Sequence, residues 1–440
     1  MIHRTNEAFA DPSALPGRQA SVKIADRPGA ALGRSAAPLQ HGPMTARTLG
    51  VEEEFLLVDA ATLRPTAAAP EVIADASRRT GPAGTVALPP HADLAALGQA
   101  ALLDDGALLG GGVEPELTLE QVETVTPVLR DLTDLRASLV GLRRRVGAAA
   151  GAHGAVLVAS GTSPFPARAH HTPDPRYRAM TSTFGITARE QLTCGCHVHV
   201  AVESEDEAVG AIDRMTPWLP VLVAIASNSP FWRGADTDYA SYRTQVWGRW
   251  PSAGSGAPFG SVEAYRECVE AMLASGTILD EAMVYFDVRL SHRYPTVEVR
   301  VADVALEVDD AVLLAALARA LVDTAARQWR EGLQPLPVRP EVARLATWRA
   351  SRSGLSGVLV DVAGRRPVPA RLLVGRLVRH VRDSLEEAGD LALVEELVVG
   401  LLARGTGAAR QREAFRRSGR LEDVVRMLAL RTVPQAADAT

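Results

Sequence analysis

The chain has 440 residues, of which 47% are hydrophobic and 22% charged, and a formal net charge of -5. This is ordinary globular composition with room for a large core in one or two domains, and nothing in the charge balance points to nucleic acid or an anionic membrane. No apolar run approaches the about 18 residues of a membrane span, and three cysteines make no disulfide framework, so a cytoplasmic location is expected.

Residues 1–46 are rich in Ala, Pro, Gly and Arg without periodicity and read as a disordered extension. Residues 47–432 read as one folded domain, with 433–440 as a tail. Lys23 in the extension is the only lysine, and every other basic residue is Arg. The folded part therefore has no lysine for a Schiff base, pyridoxal phosphate or a P-loop, and arginines or metal ions must handle any phosphate.

Leu49–Val58 reads as a strand with Glu52 and Glu54 on one face and Val51, Glu53, Phe55 and Leu57 on the other. The plain reading is a charged strand edge. The functional one is two carboxylates converging on a divalent metal such as Mg²⁺, which prefers oxygen ligands. A turn follows at Asp59–Pro65. Residues 70–112 are weakly patterned, with a short helix and glycine-rich turns. Thr118 is a candidate N-cap for a helix carrying Gln121 and Glu123, so Glu116, Gln121 and Glu123 would straddle a strand end and a first helical turn. Acids that favour a helix N-terminus are the plain alternative there. Leu132, Leu135, Leu139, Leu142 and Val146 give one buried stripe to a helix over Asp131–Ala150.

Ala155–Ala159 reads as a buried strand, and Ser160 to Phe184 as a polar loop holding His170, His171 and Arg176. Cys194–Val200 is a strand with His197 and His199 on one face. Cys194 and Cys196 point the other way, which argues against a shared zinc site. Helices follow at Glu205–Met215 and Leu219–Ser227. The long loop from Asn228 to Gly260 is rich in Arg, Trp and Tyr; Arg233, Tyr242, Arg243 and Arg249 could hold a substrate carboxylate and close over it.

Tyr285–Leu290 and Thr296–Asp303 alternate at period two and read as a hairpin. Tyr285, Asp287, Arg289, Glu298 and Arg300 take its polar face. The remainder is helical: Leu306–Glu331, Pro340–Ser351, Arg371–Ala388, Leu391–Leu402 and Leu421–Leu430. Four strands each carrying paired polar groups predict an α+β fold. Its antiparallel sheet has a polar active-site face and helices on the other. No nucleophile elbow, Walker A, HExxH or DxDxDG motif is present. Carboxylates and arginines without a nucleophile suit phosphoryl chemistry on metal ions.

Gly50-Val51-Glu52-Glu53-Glu54-Phe55, Cys194–Val200, Ser227–Gly234, Ser241-Tyr242-Arg243 and Pro295–Asp303 resemble the carboxylate-amine ligase family, the YbdK-like type 2 glutamate–cysteine ligases, over about residues 49–430. That group is similar to glutamine synthetase. The resemblance implies a curved, mostly antiparallel sheet backed by helices, ATP with Mg²⁺ or Mn²⁺, and a homodimer. It implies one metal set from Glu54, Glu116 and Glu123, with Glu114 a rival for Glu116. A second set is Glu52, His197 and Glu298. Arg300, with His199 and Arg289, would face the nucleotide, and Arg300 would contact the transferring phosphate. Cysteine is the family's default amine, and glutamate its acid. A metal-dependent hydrolase that uses no ATP, and a catalytically weak binding relative, are the alternative readings.

Overall fold

A computed structural model describes residues 46–79 and 111–434. The expected disordered extension, the C-terminal tail beyond 434 and the weakly patterned stretch 80–110 lie outside them.

The strands are β1 (Leu49–Asp59), β2 (Gly112–Pro115), β3 (Gln121–Val125), β4 (Ala155–Val158), β5 (Gly195–Ala201), β6 (Phe231–Trp232), β7 (Ala235–Asp236), β8 (Val288–Leu290) and β9 (Thr296–Asp303). Seven of them form one antiparallel sheet in the order β2-β3-β1-β5-β9-β8, with β4 also on β1. The long β1 is the organiser. Its first half pairs with β5, and its last four residues pair with β4 along the same edge.

The period-two pattern sets the two faces. Val51, Val198, Val200, Val297, Val299 and Val301 are buried against Leu313, Leu314, Leu317 and Leu321 of the helix Val308–Arg330. Each such side chain contributes roughly 1.5–3 kcal/mol by leaving water. Asp309 and Asp310 in that helix's first turn, and Arg327 and Arg330 in its last, complement its dipole. Phe55 and Leu57, on the same side of β1, pack in a second core with the helices Ala69–Arg78 and Leu421–Thr432.

Glu53 breaks the apolar pattern of that face, and Arg143 answers it. Both side chains are fully buried. Arg143 Nε donates to Glu53 at 3.0 Å, and its remaining N–H groups reach the carbonyls of Leu306 (2.9 Å), Ala305 (2.8 Å) and Thr432 (3.3 Å). One side chain thus ties β1 to the chain after β9 and to the C-terminal helix.

Several elements differ from the sequence reading. Gln121–Val125 is a strand, not the first turn of a helix. Its alternation of Gln121, Glu123 and Val125 with Val122 and Thr124 wins because β1 offers a full ladder. Thr118 Oγ1 caps no helix and instead donates to Gln121 Oε1 at 2.8 Å. The polar loop contains a helix, Pro175–Phe184, started by Asp174 accepting from the Arg176 N–H, with Pro175 in the first turn. The Asn228–Gly260 loop holds the β6–β7 hairpin and a helix, Tyr242–Trp247, capped by Ser241. The Tyr285–Leu290 strand is cut to Val288–Leu290, because Asp287 turns to the Ser255 hydroxyl and its N–H to the Gly254 carbonyl. The Arg371–Ala388 helix is two helices, Ala370–His380 and Arg382–Ala388. Helices at Val262–Ala274 and Gly407–Ser418 went unread in the sequence.

Candidate active site

The polar face of the sheet floors a cavity of about 230 Å³. Register brings its side chains into rows. One row runs Gly50, His199, Glu298 and Arg289 across β1, β5, β9 and β8. The next runs Val125, Glu52 and His197 across β3, β1 and β5. The third runs Glu114, Glu123 and Glu54 across β2, β3 and β1. A bulge between Cys196 and Val198 interrupts the β5–β9 ladder beside Arg300.

Glu298 is the floor's most committed carboxylate. Arg289 Nε donates to it at 2.6 Å and Arg300 to its other oxygen. Burial pushes the Glu298 carboxyl up, but Arg300 and Arg289 outweigh this and hold it well below the usual range. Burial also pushes Glu52 up, and hydrogen bonds with His197 and His199 outweigh that in turn. His197 Nδ1 lies 3.2 Å from Glu52 and His199 Nε2 3.1 Å. Burial and then Arg300 lower the His197 imidazole, which keeps it neutral with a lone pair free.

The third row behaves oppositely. Burial, then the Glu54 carboxylate, pushes Glu116 up to about 8. Burial, then Glu52, Glu116 and Glu54, raises Glu123 well above the usual range. Carboxylates crowded without a cation repel their own charge, and a bound cation relieves it.

The structure brings Glu52, His197 and Glu298 together with ligand atoms all within 4.8 Å of one another. Glu54 and Glu123 meet in the same way, with His197 as their third member. Glu116 lines the same cavity outside that triad, its carboxylate accepting from the Leu117 N–H at 2.8 Å; Glu114 lines it too.

The loop residues expected to hold a substrate carboxylate are placed elsewhere. Arg233 and Arg249 both grip Glu190, at 2.7 and 2.8 Å, outside the cavity lining. Tyr242 packs on Trp232 and Tyr239. Arg243 is buried on the site side of Gly195. The helix that Ser241 caps turns Arg243 inward and puts Trp247 on the cavity instead. A Cβ on Gly195 would stand 2.3 Å from Arg243 Nη2, so any larger residue there must push the buried guanidinium aside. Gly195→Ala is expected to cost about 1–3 kcal/mol in chemical denaturation through overpacking; an unchanged midpoint would refute the contact.

The sequence reading missed the cavity wall. Tyr177 and Met180, from the helix inside the polar loop, line it with Gln191, Thr193, Trp247 and Trp250. Asp174 followed by Pro175 was an available helix-start signal. Arg176 is also there, held by Asp280 at 2.5 and 2.8 Å. His170 and His171 are not; His170 bonds the buried Glu120 at 2.6 Å.

The family model described as glutamate–cysteine ligase family 2 matches residues 48–427. The chain belongs to this family. It is 54% identical over 394 residues to the Frankia alni protein named "Putative glutamate–cysteine ligase 2-2", covering 89% of this chain and 98% of that one. A Streptomyces coelicolor protein of the same family-2 description is 47% identical over 386 residues, covering 88% and 99%. Among solved structures, this family-2 chain resembles glutamate–cysteine ligase from Francisella tularensis in complex with AMP. The TM-score is 0.60 at 11% identity, covering 90% and 91% of the two chains. It also resembles a bifunctional glutathione synthetase from Pasteurella multocida, with TM-score 0.59 at 15% identity, covering 90% of this chain and 53% of the other. At such identities the likeness is one of fold, and the α+β sheet backed by helices is shared.

Proposed function

We propose that this protein is an ATP-dependent carboxylate–amine ligase. It joins a glutamate-like acid to an amine through an acyl phosphate, with cysteine among the amines. The observation that carries the reading is the floor itself, where two carboxylate-rich ligand sets meet the Arg289–Glu298–Arg300 clamp in one cavity. Mg²⁺ or Mn²⁺ fits the donors: oxygen ligands predominate, and His197 Nε2 is buried without a hydrogen-bond partner among the described residues. Glu52, His197 and Glu298 would hold one ion, and Glu54, Glu123 and Glu116 another. Bound there, the ions supply charge neutralisation for ATP's phosphates.

The chain's own part is positioning and electrostatics. Glu298 fixes both guanidinium groups before substrate arrives. Arg300 then offers fixed positive charge where the phosphoryl group crosses to the acid. The walls exclude water, so the acyl phosphate meets an amine instead. Cys194 and Cys196 play no part: both are buried on the core side, and burial pushes both thiols well up. Use of ATP is consistent with a cytoplasmic enzyme.

Hydroxylamine tests this. With ATP, Mg²⁺ and a panel of acids led by glutamate, the protein should form a hydroxamate and release ADP and phosphate. Cys194→Ala and Cys196→Ala should retain the activity. Release of AMP and pyrophosphate would indicate an adenylate and refute the role given to Arg300. Hydroxamate formation that required either thiol would restore an acyl-enzyme. The homodimer implied by the family resemblance belongs to the same reading, and a monomer by light scattering at micromolar concentration would reject it.

A further inference from the structure

Among the residues that line the cavity, the exposed ones are Glu114, on β2, and His292, Arg293 and Tyr294, in the turn between β8 and β9. The cavity therefore opens on two sides. Its inner end is closed by Met180, Trp250 and Tyr285, all buried, and by Trp247, over whose ring Arg243 and Arg300 both stand.

The two openings differ in charge. Register sets Glu114 opposite Glu123, and Glu123 opposite Glu54, so carboxylates line the β2 side. On the β8–β9 side the floor carboxylate is Glu298, which already holds Arg289 and Arg300. Arg293 has no carboxylate partner among the described residues.

The turn is fixed to the sheet. Ser291 Oγ accepts from the N–H groups of Arg293 and Tyr294, both at 3.3 Å. The Pro295 carbonyl accepts from the Val202 N–H at 3.1 Å, just beyond β5. The Tyr294 ring is 53% exposed, and it meets the His199 ring edge to face with centres 6.1 Å apart. His199 Nδ1 in turn lies 3.0 Å from Thr296 Oγ1. A guanidinium and an aromatic ring are thus held at the mouth with room beside them.

The ligase reading puts the terminal phosphoryl group at Arg300. The rest of the nucleotide is bulky, and its remaining phosphates make it an anion. Toward the inner end it would meet the closed wall. Toward β2 it would meet three carboxylates, more charge than one divalent ion offsets. Toward the β8–β9 turn it meets an opening, an arginine suited to phosphate and a ring suited to a base. Thr296 and Arg300 are four residues apart on β9, roughly 13 Å by strand rise, which is the scale of a nucleoside triphosphate from terminal phosphorus to base.

Resting on the ligase reading above, we propose that the β8–β9 turn is the subsite for the base and the untransferred phosphates of the nucleotide. Tyr294 lies against the base and Arg293 pairs with the phosphates. The acid and the amine then share the enclosed end.

Calorimetric titration of the full chain in Mg²⁺ with the β,γ-methylene analogue of ATP reads binding without phosphoryl transfer. Inorganic tripolyphosphate is the probe that lacks base and ribose. Tyr294→Ala should weaken the analogue about fivefold or more, the low end for losing a base–aromatic stack, and leave tripolyphosphate within about twofold; Tyr294→Phe should restore the analogue. Arg293→Gln should weaken both probes about threefold or more at low salt and less at high salt, as an exposed ion pair does. In the hydroxamate assay both substitutions should raise KM for ATP and leave KM for the acid unchanged. Unchanged affinity for the analogue in both variants overturns the proposal. So does equal loss of both probes in Tyr294→Ala, which would take the base away from the turn. A rise in KM for the acid alone also overturns it, giving the turn to the acid. Wild-type protein that binds neither probe overturns the ligase reading and this with it.

Discussion

Glu298→Gln should reduce ATP-dependent turnover by about 10²–10³-fold, the usual scale for one preorganised electrostatic group. The substitution keeps the shape and removes the charge. In the wild type that charge does two jobs: it clamps Arg289 and Arg300, and it belongs to the triad with Glu52 and His197. An amide can accept from one guanidinium, but its NH₂ group faces the other with donor against donor. Arg300 would then lose its fixed orientation, and the triad one of its two carboxylates. The fold should persist, since β8 and β9 are paired by backbone hydrogen bonds, and circular dichroism can verify this. Activity within about threefold of wild type would reject the proposed role of Glu298.

Arg143→Leu is expected to destabilise the protein by about 3–5 kcal/mol, because it strands the Glu53 charge in the core. The number is large because nothing else nearby can serve. Arg143 is fully buried, and three backbone carbonyls besides Glu53 depend on its N–H groups. The double variant Glu53→Leu with Arg143→Leu should recover much of the loss, since it removes both charges together. Chemical denaturation of the two variants decides it. A double variant no better than Arg143→Leu alone would mean that the carbonyl bonds, not the ion pair, carry the stability.

Much of the floor was legible in the sequence because strands advertise their faces. Glu52 with Glu54, His197 with His199, and Glu298 with Arg300 each sit two apart, and period two puts each pair on one side. Their apolar neighbours named the other side equally clearly. Glu123 was harder. Its strand has five residues, and the preceding Thr118 imitates a helix cap, so local pattern favoured the wrong element until β1 supplied a partner. Arg143 follows Leu142 on a helix whose stripe is otherwise apolar, and nothing local says that its own neighbour is a buried carboxylate. The arginines at 233 and 249 were misplaced for a related reason. Composition marks a loop as functional, but Glu190, their actual partner, comes from a distant part of the chain. Tyr177 and Met180 were invisible because a helix facing a cavity has the same pattern as one facing solvent or core.

The middle position of β1 has a consequence for how the molecule is made. Glu52 leaves the ribosome among the first folded residues, while Glu298 and Arg300 follow only 246 and 248 residues later. Between them the chain must first deliver β3, β4 and β5 to flank β1. A nascent chain ending before β9 carries the acidic cluster of Glu52, Glu54 and Glu123 without Arg300, and it holds Arg289 on a strand whose sheet partner has yet to be made. Its unbalanced carboxylates would repel, and no nucleotide could be clamped. On the ligase reading proposed above, ATP and its cation would stabilise the finished protein but would not template its early folding, and the pairing of β8 with β9 is the step that brings Arg289 and Arg300 onto the acidic sheet.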